Sequence, residues 1–231
     1  MATALVVAAG RGERLGVSGP KAFAPLAGRP MVAWSLDAFR ETPGVEAIVV
    51  AVPPGWLPAR PGEVEALSGC IVCEGGAERS LSVRKALEAS GGGPREEPVL
   101  VHDAARPLVT VELIEAMIAS VSGNGGADAA VAAAPVADTI RVADADGNVL
   151  STPDRASLRA MQTPQAFRRE TLERALAQDD RIVAAATDDA ALVEAMGGTV
   201  RLVEAPVDNI KVTSPLDLRI AGELLAARQG G

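Results

Sequence analysis

A chain of 231 residues that is 48% hydrophobic but only 2% aromatic, with no tyrosine, is long enough for one α/β domain and must build its core from Ala, Val, Leu and Ile. A net charge of −8 excludes a general nucleic-acid binder, which needs a basic face to displace counterions, and so few aromatics leave no stacking platform for single strands. Two cysteines and one histidine cannot assemble a structural zinc site, and no apolar run approaches the ~20 residues of a spanning helix, so a cytoplasmic protein with no membrane partner is expected.

In chain order, Leu5-Val6-Val7-Ala8 predicts a buried strand, followed by a glycine-rich loop and an amphipathic segment over 31–39. A second strand is expected at 48–52 and a third at 70–73, where alternation would point Cys70 and Cys73 to opposite faces as two core thiols. A helix over 83–89 is closed by Gly91-Gly92-Gly93. Residues 99–101 predict a short fourth strand. The run 111–121 places Leu113, Ile114, Met117, Ile118 and Val121 at helical spacing, and 127–134 supplies a fifth strand. Such alternation implies right-handed βαβ units and a mostly parallel sheet covered by helices.

The rhythm breaks between Pro135 and Gln165. Two extended runs flank the turn signal Asp144-Ala145-Asp146-Gly147-Asn148, which predicts a protruding β-hairpin arm. Its sides carry too few large apolar residues to stand alone in water, so it should dock on something. Helices at 170–177 and 188–196, a strand at 200–203 and a helix after Pro215 complete the chain.

The chemistry starts in Ala8-Ala9-Gly10-Arg11-Gly12-Glu13-Arg14-Leu15-Gly16, immediately after the first strand. Glycines let backbone N–H groups approach phosphate oxygens, and such loops sit at the carboxyl edge of a parallel sheet. The loop is not a Walker motif. Nor is it a dinucleotide fingerprint, because Leu15 stands where the third glycine belongs and the second strand ends in Val52-Pro53-Pro54 without the ribose-binding acid. By itself it fits a phosphate cradle or a plain tight turn.

Arg11, Arg14 and Lys21 cluster around it in an otherwise acidic chain, forming a local site for a polyanion. Of 22 basic residues only Lys21, Lys85 and Lys211 are lysine, a bias that retains lysine where a compact ammonium is required. Lys21 and Lys211 lie in unusual contexts, whereas Lys85 sits mid-helix and needs no special role. In Val101-His102-Asp103-Ala104-Ala105-Arg106-Pro107, Asp103 ends a strand facing the same crevice, where it can hold Mg²⁺ on nucleotide phosphates or serve as a turn residue. His102 is read as structural. The stretch 75–82, Gly-Gly-Ala-Glu-Arg-Ser-Leu-Ser, opens a helix and either contacts a base or ribose or is a plain capped start.

Taken in order, AAGRGERLG, GPK, GGAERSLSV, VHDAARP, ADTIR, TPQAF, TDDA and NIKVTSPLDL resemble the 2-C-methyl-D-erythritol 4-phosphate cytidylyltransferases of the non-mevalonate isoprenoid pathway over nearly the whole chain. The resemblance implies a Rossmann-like nucleotidyltransferase fold, one domain over 1–231, and a homodimer clasped by the arm at 136–160. It implies CTP phosphates on Ala8, Ala9, Gly10, Arg14 and Lys21, cytosine and ribose on Gly76, Ser82 and Ala104, and Mg²⁺ on Asp103. Arg106, Thr163, Thr187, Asp188 and Lys211 would face the polyol phosphate, joined by Thr139 and Arg155 from the partner's arm. Lys21, Arg14 and Lys211 would carry the catalytic charge. Two positions depart from the pattern: Ala77, which leaves only backbone for base recognition, and Arg159, where an aromatic is frequent. A cytidylyltransferase for ribitol 5-phosphate or another sugar phosphate would share the nucleotide motifs, and a nicotinamide oxidoreductase would need the missing glycine and acid.

Overall fold

The computed structural model describes every residue except 11, 13, 14, 16–18, 124, 230 and 231, so the predicted phosphate contacts Arg11 and Arg14 lie outside the described residues. The first half of the chain forms β1 (Ala2–Val7), a short hairpin of β2 (Pro25–Leu26) and β3 (Arg29–Pro30), α1 (Met31–Glu41), β4 (Val45–Val52), α2 (Pro61–Ala66), β5 (Ile71–Glu74), α3 (Arg79–Ala89), β6 (Pro98–Asp103) and α4 (Val111–Val121). There follow β7 (Ala129–Pro135), β8 (Val142–Ala143), β9 (Val149–Ser151), β10 (Arg159–Arg168), α5 (Arg169–Leu176), α6 (Asp180–Ala185), α7 (Asp189–Ala195), β11 (Val200–Glu204) and α8 (Pro215–Gln229).

Seven of these strands make one sheet in the order β11-β7-β10-β6-β1-β4-β5. Every neighbouring pair is parallel except those of β10, which runs antiparallel to both β6 and β7. The mostly parallel, helix-covered sheet expected from the sequence is therefore present. Strand β10 was not foreseen, because Gln162, Thr163, Pro164 and Gln165 lack the β-branched run that marks a buried strand. The short α2 and α6 were also missed.

Alternation along the strands divides the core into two layers. On one face Ala4, Val6, Val50 and Leu100 pack with Leu36 and Phe39 of α1 and Ile114 and Met117 of α4. On the other, Leu5, Val49, Val101 and Phe167 pack with Val83 of α3, Leu172 of α5 and Val193 of α7. Strand β7 is nearly all alanine and fully buried up to its last residue, which lets helices approach closely from both sides. Cys70 packs against the first layer and Cys73 against the second, as alternation requires. Neither is a core thiol, however: both are half-buried, because β5 is the sheet's outer strand.

Ala22 and Phe23, directly after Lys21, join the first layer, and the residues that follow them form a third cluster. Leu26 and Met31 pack with Leu108, with Val212 and with Ala221 of α8, and Trp34 Nε1 donates to the carbonyl of Leu26 at 3.0 Å. The predicted hairpin is formed by β8 and β9. Asp144 Oδ1 accepts from the backbone N–H of Asp146 and Asn148 across its turn, and Gly147 adopts φ +86°, a conformation glycine permits without a Cβ clash. Ile140, Val142, Val149 and Leu150 along this arm are all exposed.

Candidate active site

Strands β1 and β6 lie side by side with Val7 opposite Asp103, and beyond their carboxyl ends the chain opens into a pocket of about 250 Å³. A parallel sheet places ligands at this edge, where successive crossovers leave to opposite sides. Ala8, Ala9, Gly10, Lys21, Gly76, Ser82, Asp103, Ala104 and Lys211, all singled out in the sequence, line the pocket. Ala77, Glu78 and Arg79 complete the wall on the α3 side.

Close approach requires glycine at positions 12, 75 and 76, while Gly10 has open space where a Cβ would stand. At Gly12, φ is +72° and a Cβ would stand 2.4 Å from Lys21 Cβ, so a side chain there would push the lysine out of place. A Cβ on Gly75 would meet Ala9 Cβ at 2.6 Å, and one on Gly76 would meet Leu81 Cβ at 2.5 Å. The turn between β5 and α3 is thus pressed against the first loop. Ser82 Oγ accepts from Gly76 N–H at 3.0 Å and donates to Glu78 O at 3.0 Å, shaping the turn from within. Lys85 Nζ donates to Gly75 O at 3.0 Å, a contact not expected from its mid-helix position.

Across the pocket runs a chain of alternating charge. Lys211 Nζ lies 2.6 Å from Asp103 Oδ2, and Arg79 Nε donates to Asp103 Oδ1 at 2.8 Å. Arg79 Nη1 reaches on to Asp189 Oδ2 at 2.5 Å. Burial pushes the Asp103 carboxyl upward, but Arg79 and then Lys211 overcome it and hold the group well below the usual carboxylate range. Burial likewise opposes the Arg79 charge, and the two carboxylates outweigh it, so this guanidinium is held protonated. Asp189, fully enclosed, is raised by burial despite Arg79. Arg79 and Asp189 were missed in the sequence, although they sit inside two stretches already marked, beside Glu78 and Asp188.

Behind Asp103 the backbone is fixed by a buried relay. The Asp103 N–H donates to Thr163 Oγ1 at 3.0 Å, and Thr163 Oγ1 lies 3.2 Å from His102 Nδ1. His102 Nε2 is 3.1 Å from the carbonyl of Arg106, which can only accept, so the proton is on Nε2 and Thr163 donates to Nδ1. Burial lowers the His102 pKa to about 4, which keeps the ring neutral. The structural reading of His102 therefore holds.

The remaining predicted residues fall elsewhere. Arg106 is buried and donates from Nη1 to Asn209 O at 2.8 Å, tying the segment before Lys211 to the turn after β6 instead of lining the pocket. Asp188 caps α7, with Oδ1 accepting from Ala191 N–H at 2.9 Å and Oδ2 from Gln165 at 2.8 Å. Thr187 beside it is exposed. Thr139 and Arg155 lie on the exposed arm, where Arg155 donates to Ala137 O at 2.8 Å, and neither lines the pocket of its own chain. Arg159 turns back on the carbonyls of Ala156 and Leu158.

Among the described residues no group of three or more His, Cys, Asp or Glu side chains is gathered for a metal. A cation bound at Asp103 would have to take most of its ligands from a substrate. Among the same residues no helix is long and apolar enough to cross a membrane.

Known proteins share this architecture and much of this sequence. The family model IspD, 2-C-methyl-D-erythritol 4-phosphate cytidylyltransferase, matches residues 2–227. The enzyme of that name from Frankia casuarinae is 47% identical over 96% of this chain and 80% of its own, and that of Nocardia farcinica is 44% identical over 97% and 94%. Among solved structures, the Thermus thermophilus cytidylyltransferase superposes with a TM-score of 0.77 at 35% identity, covering 98% of this chain and 100% of that one. The Francisella tularensis enzyme gives 0.78 at 29% identity over 96% and 98%. With a matching family model over almost its full length and relatives above 40% identity, this chain belongs to the 2-C-methyl-D-erythritol 4-phosphate cytidylyltransferase family.

Proposed function

We propose that the chain transfers the cytidylyl group of CTP to the phosphate of 2-C-methyl-D-erythritol 4-phosphate, yielding 4-diphosphocytidyl-2-C-methyl-D-erythritol and pyrophosphate. The observation that carries this reading is the meeting of Lys21, Lys211, Asp103 and Arg79 around the backbone of Gly10 and Gly76 in one pocket, in a member of this family. The acceptor phosphate oxygen bonds to the α-phosphorus of CTP in line as the bond to the β-phosphate oxygen breaks and pyrophosphate leaves. An ionised phosphate needs no general base, so the protein's task is to align two anions and neutralise them.

In this reading, Ala8, Ala9 and Gly10 present backbone to the CTP phosphates, and Lys21 neutralises them together with Arg14, whose part rests on the sequence alone. Gly76, Ser82 and Ala104 frame the base and ribose, with Ala77 contributing only backbone. Lys211 stands between the two substrates. Arg106, Thr163, Thr187 and Asp188 support or border the acceptor side. Thr139 and Arg155 reach a second subunit's pocket in a homodimer clasped by the arm at 136–160, a reading supported by their absence from the lining of their own pocket and by the exposed apolar residues beside them.

Magnesium fits this site as an ion held by one carboxylate. Asp103 and Glu78 both line the pocket, Asp103 at the end of β6, and Mg²⁺ is commonly held by one or two carboxylates with substrate phosphates and water completing its shell. When bound it would supply charge neutralisation on the phosphates. Lys211, with a half-exposed side chain, is the Asp103 partner freer to shift beside it. The net charge of −8 speaks against a nucleic-acid partner, and a reaction fed by a nucleoside triphosphate suits the cytoplasm.

Incubation with CTP, Mg²⁺ and methylerythritol phosphate should release pyrophosphate, with little release when ribitol 5-phosphate replaces the acceptor. Equal release with both acceptors would overturn the assignment of the acceptor. No release with either would overturn the reaction.

A further inference from the structure

We propose that Asp189 is a positioning residue for the transfer, acting through Arg79 to hold the Asp103 carboxylate at the floor of the pocket. The inference rests on the reading of that pocket as the nucleotidyl-transfer site. Asp189 is the first residue of α7, 110 residues along the chain from Arg79, and has no solvent exposure. Its Oδ2 accepts from Arg79 Nη1 at 2.5 Å, while Oδ1 is buried with no partner among the described residues. A carboxylate removed from water with one oxygen bare is a cost to folding that an apolar side chain would avoid. Its one hydrogen-bonded partner among the described residues is Arg79, so any use it has beyond stability runs to that guanidinium.

That use lies in the shape of the guanidinium. Arg79 spans two acids with different nitrogens, Nε on Asp103 and Nη1 on Asp189. A planar fork held at two points cannot turn about either one. With Asp189 removed, Arg79 would pivot about its remaining contact, and Asp103 Oδ1 would lose its fixed donor. Oδ2 would then be steered by Lys211 alone, whose side chain is half-exposed. Asp189 does not line the pocket, and its hydrogen bond to a residue that does is the one to Arg79.

The test uses Asp189→Asn, which keeps the volume and removes the charge, measured at a temperature where unfolding curves show the variant folded. Loss of a group that orients a directly contacting residue typically lowers activity by about 10- to 100-fold. That loss is expected in kcat, with KM for CTP changed by less than about threefold. Combined with Arg79→Met, Asp189→Asn should add nothing further, because the two act in series. A crystal structure of Asp189→Asn should show the Arg79–Asp103 contact broken. Wild-type kcat in Asp189→Asn, an equal further loss in the Arg79→Met background, or an intact 2.8 Å Arg79–Asp103 contact would each overturn the proposal. If the wild type itself releases no pyrophosphate, the reading of the pocket fails, and the crystal structure alone decides whether Asp189 holds Arg79.

Discussion

Lys211 and Asp103, 108 residues apart in the chain, meet with Nζ 2.6 Å from Oδ2 at the edge of the pocket, so one contact joins the end of β6 to the segment before α8. Lys211→Ala is expected to lower kcat by on the order of 10² to 10³, the usual effect of losing one oriented charge at a reacting phosphorus, and Lys21→Ala by a similar factor. CTP binding, followed by calorimetry, should weaken less. Near-normal turnover in either variant would remove that lysine from the reaction. Asp103→Asn should raise the Mg²⁺ concentration needed for half-maximal rate, and an unchanged Mg²⁺ titration would leave Asp103 as a turn residue.

Gly76→Ala tests the packing of the turn before α3 on the first turns of that helix. Its Cβ would stand 2.5 Å from Leu81 Cβ and 2.9 Å from the Leu81 carbonyl carbon, so the turn carrying Ala77 must move. Overpacking of this kind costs about 1–3 kcal/mol. The cost should appear in KM for CTP, raised about tenfold or more, with KM for the acceptor nearly unchanged. A wild-type KM for CTP would show that the turn does not touch the nucleotide.

His102 makes acid stability predictable. Its folded pKa is about 4 against an ordinary 6.5, because burial disfavours the charged ring. Between those values the unfolded chain binds the proton and the folded protein does not, so stability falls as pH drops from 6.5 towards 4 and this contribution is complete below 4. The full loss is roughly 3 kcal/mol at 1.36 kcal/mol per pH unit. Asp103, held low by its cations, adds a further loss only at pH below its ordinary value of 3.8. Urea unfolding at several pH values should show a slope between pH 6.5 and 4.5 that is absent in His102→Gln, while below 4.5 glutamates such as Glu63, held below their ordinary 4.5, add their own loss in both proteins. An equal slope in the variant would assign it to other groups.

Subunit mixing tests the arm. Lys21→Ala and Arg155→Ala homodimers should both be nearly inactive if Arg155 serves the partner's pocket, since every site then lacks one cation. Random exchange makes about half the dimers mixed, each with one intact site of two, so activity should recover to roughly a quarter of wild type. Verified heterodimers with no recovered activity would place Arg155 in its own chain's chemistry.

Features that depend on neighbours a few residues away were legible along the chain. Strand alternation and helical spacing marked β1, β4, β6, α4 and the hairpin turn, and the glycines and scarce lysines marked the pocket edge, because side-chain direction repeats every two or 3.6 residues. The antiparallel insertion of β10 between β6 and β7 was decided only by tertiary structure: its pairing is set by partners far along the chain, and its polar residues are tolerated because Asp103 N–H, His102 and Asn209 satisfy Thr163 and Gln162. The same holds for the exposure of β5, which follows from its place at the sheet edge and not from its apolar composition. Arg79 and Asp189 acquire meaning only as a pair, since an ion pair depends on distance in space, and no local pattern records that α3 and α7 bring residues 110 positions apart to within 2.5 Å.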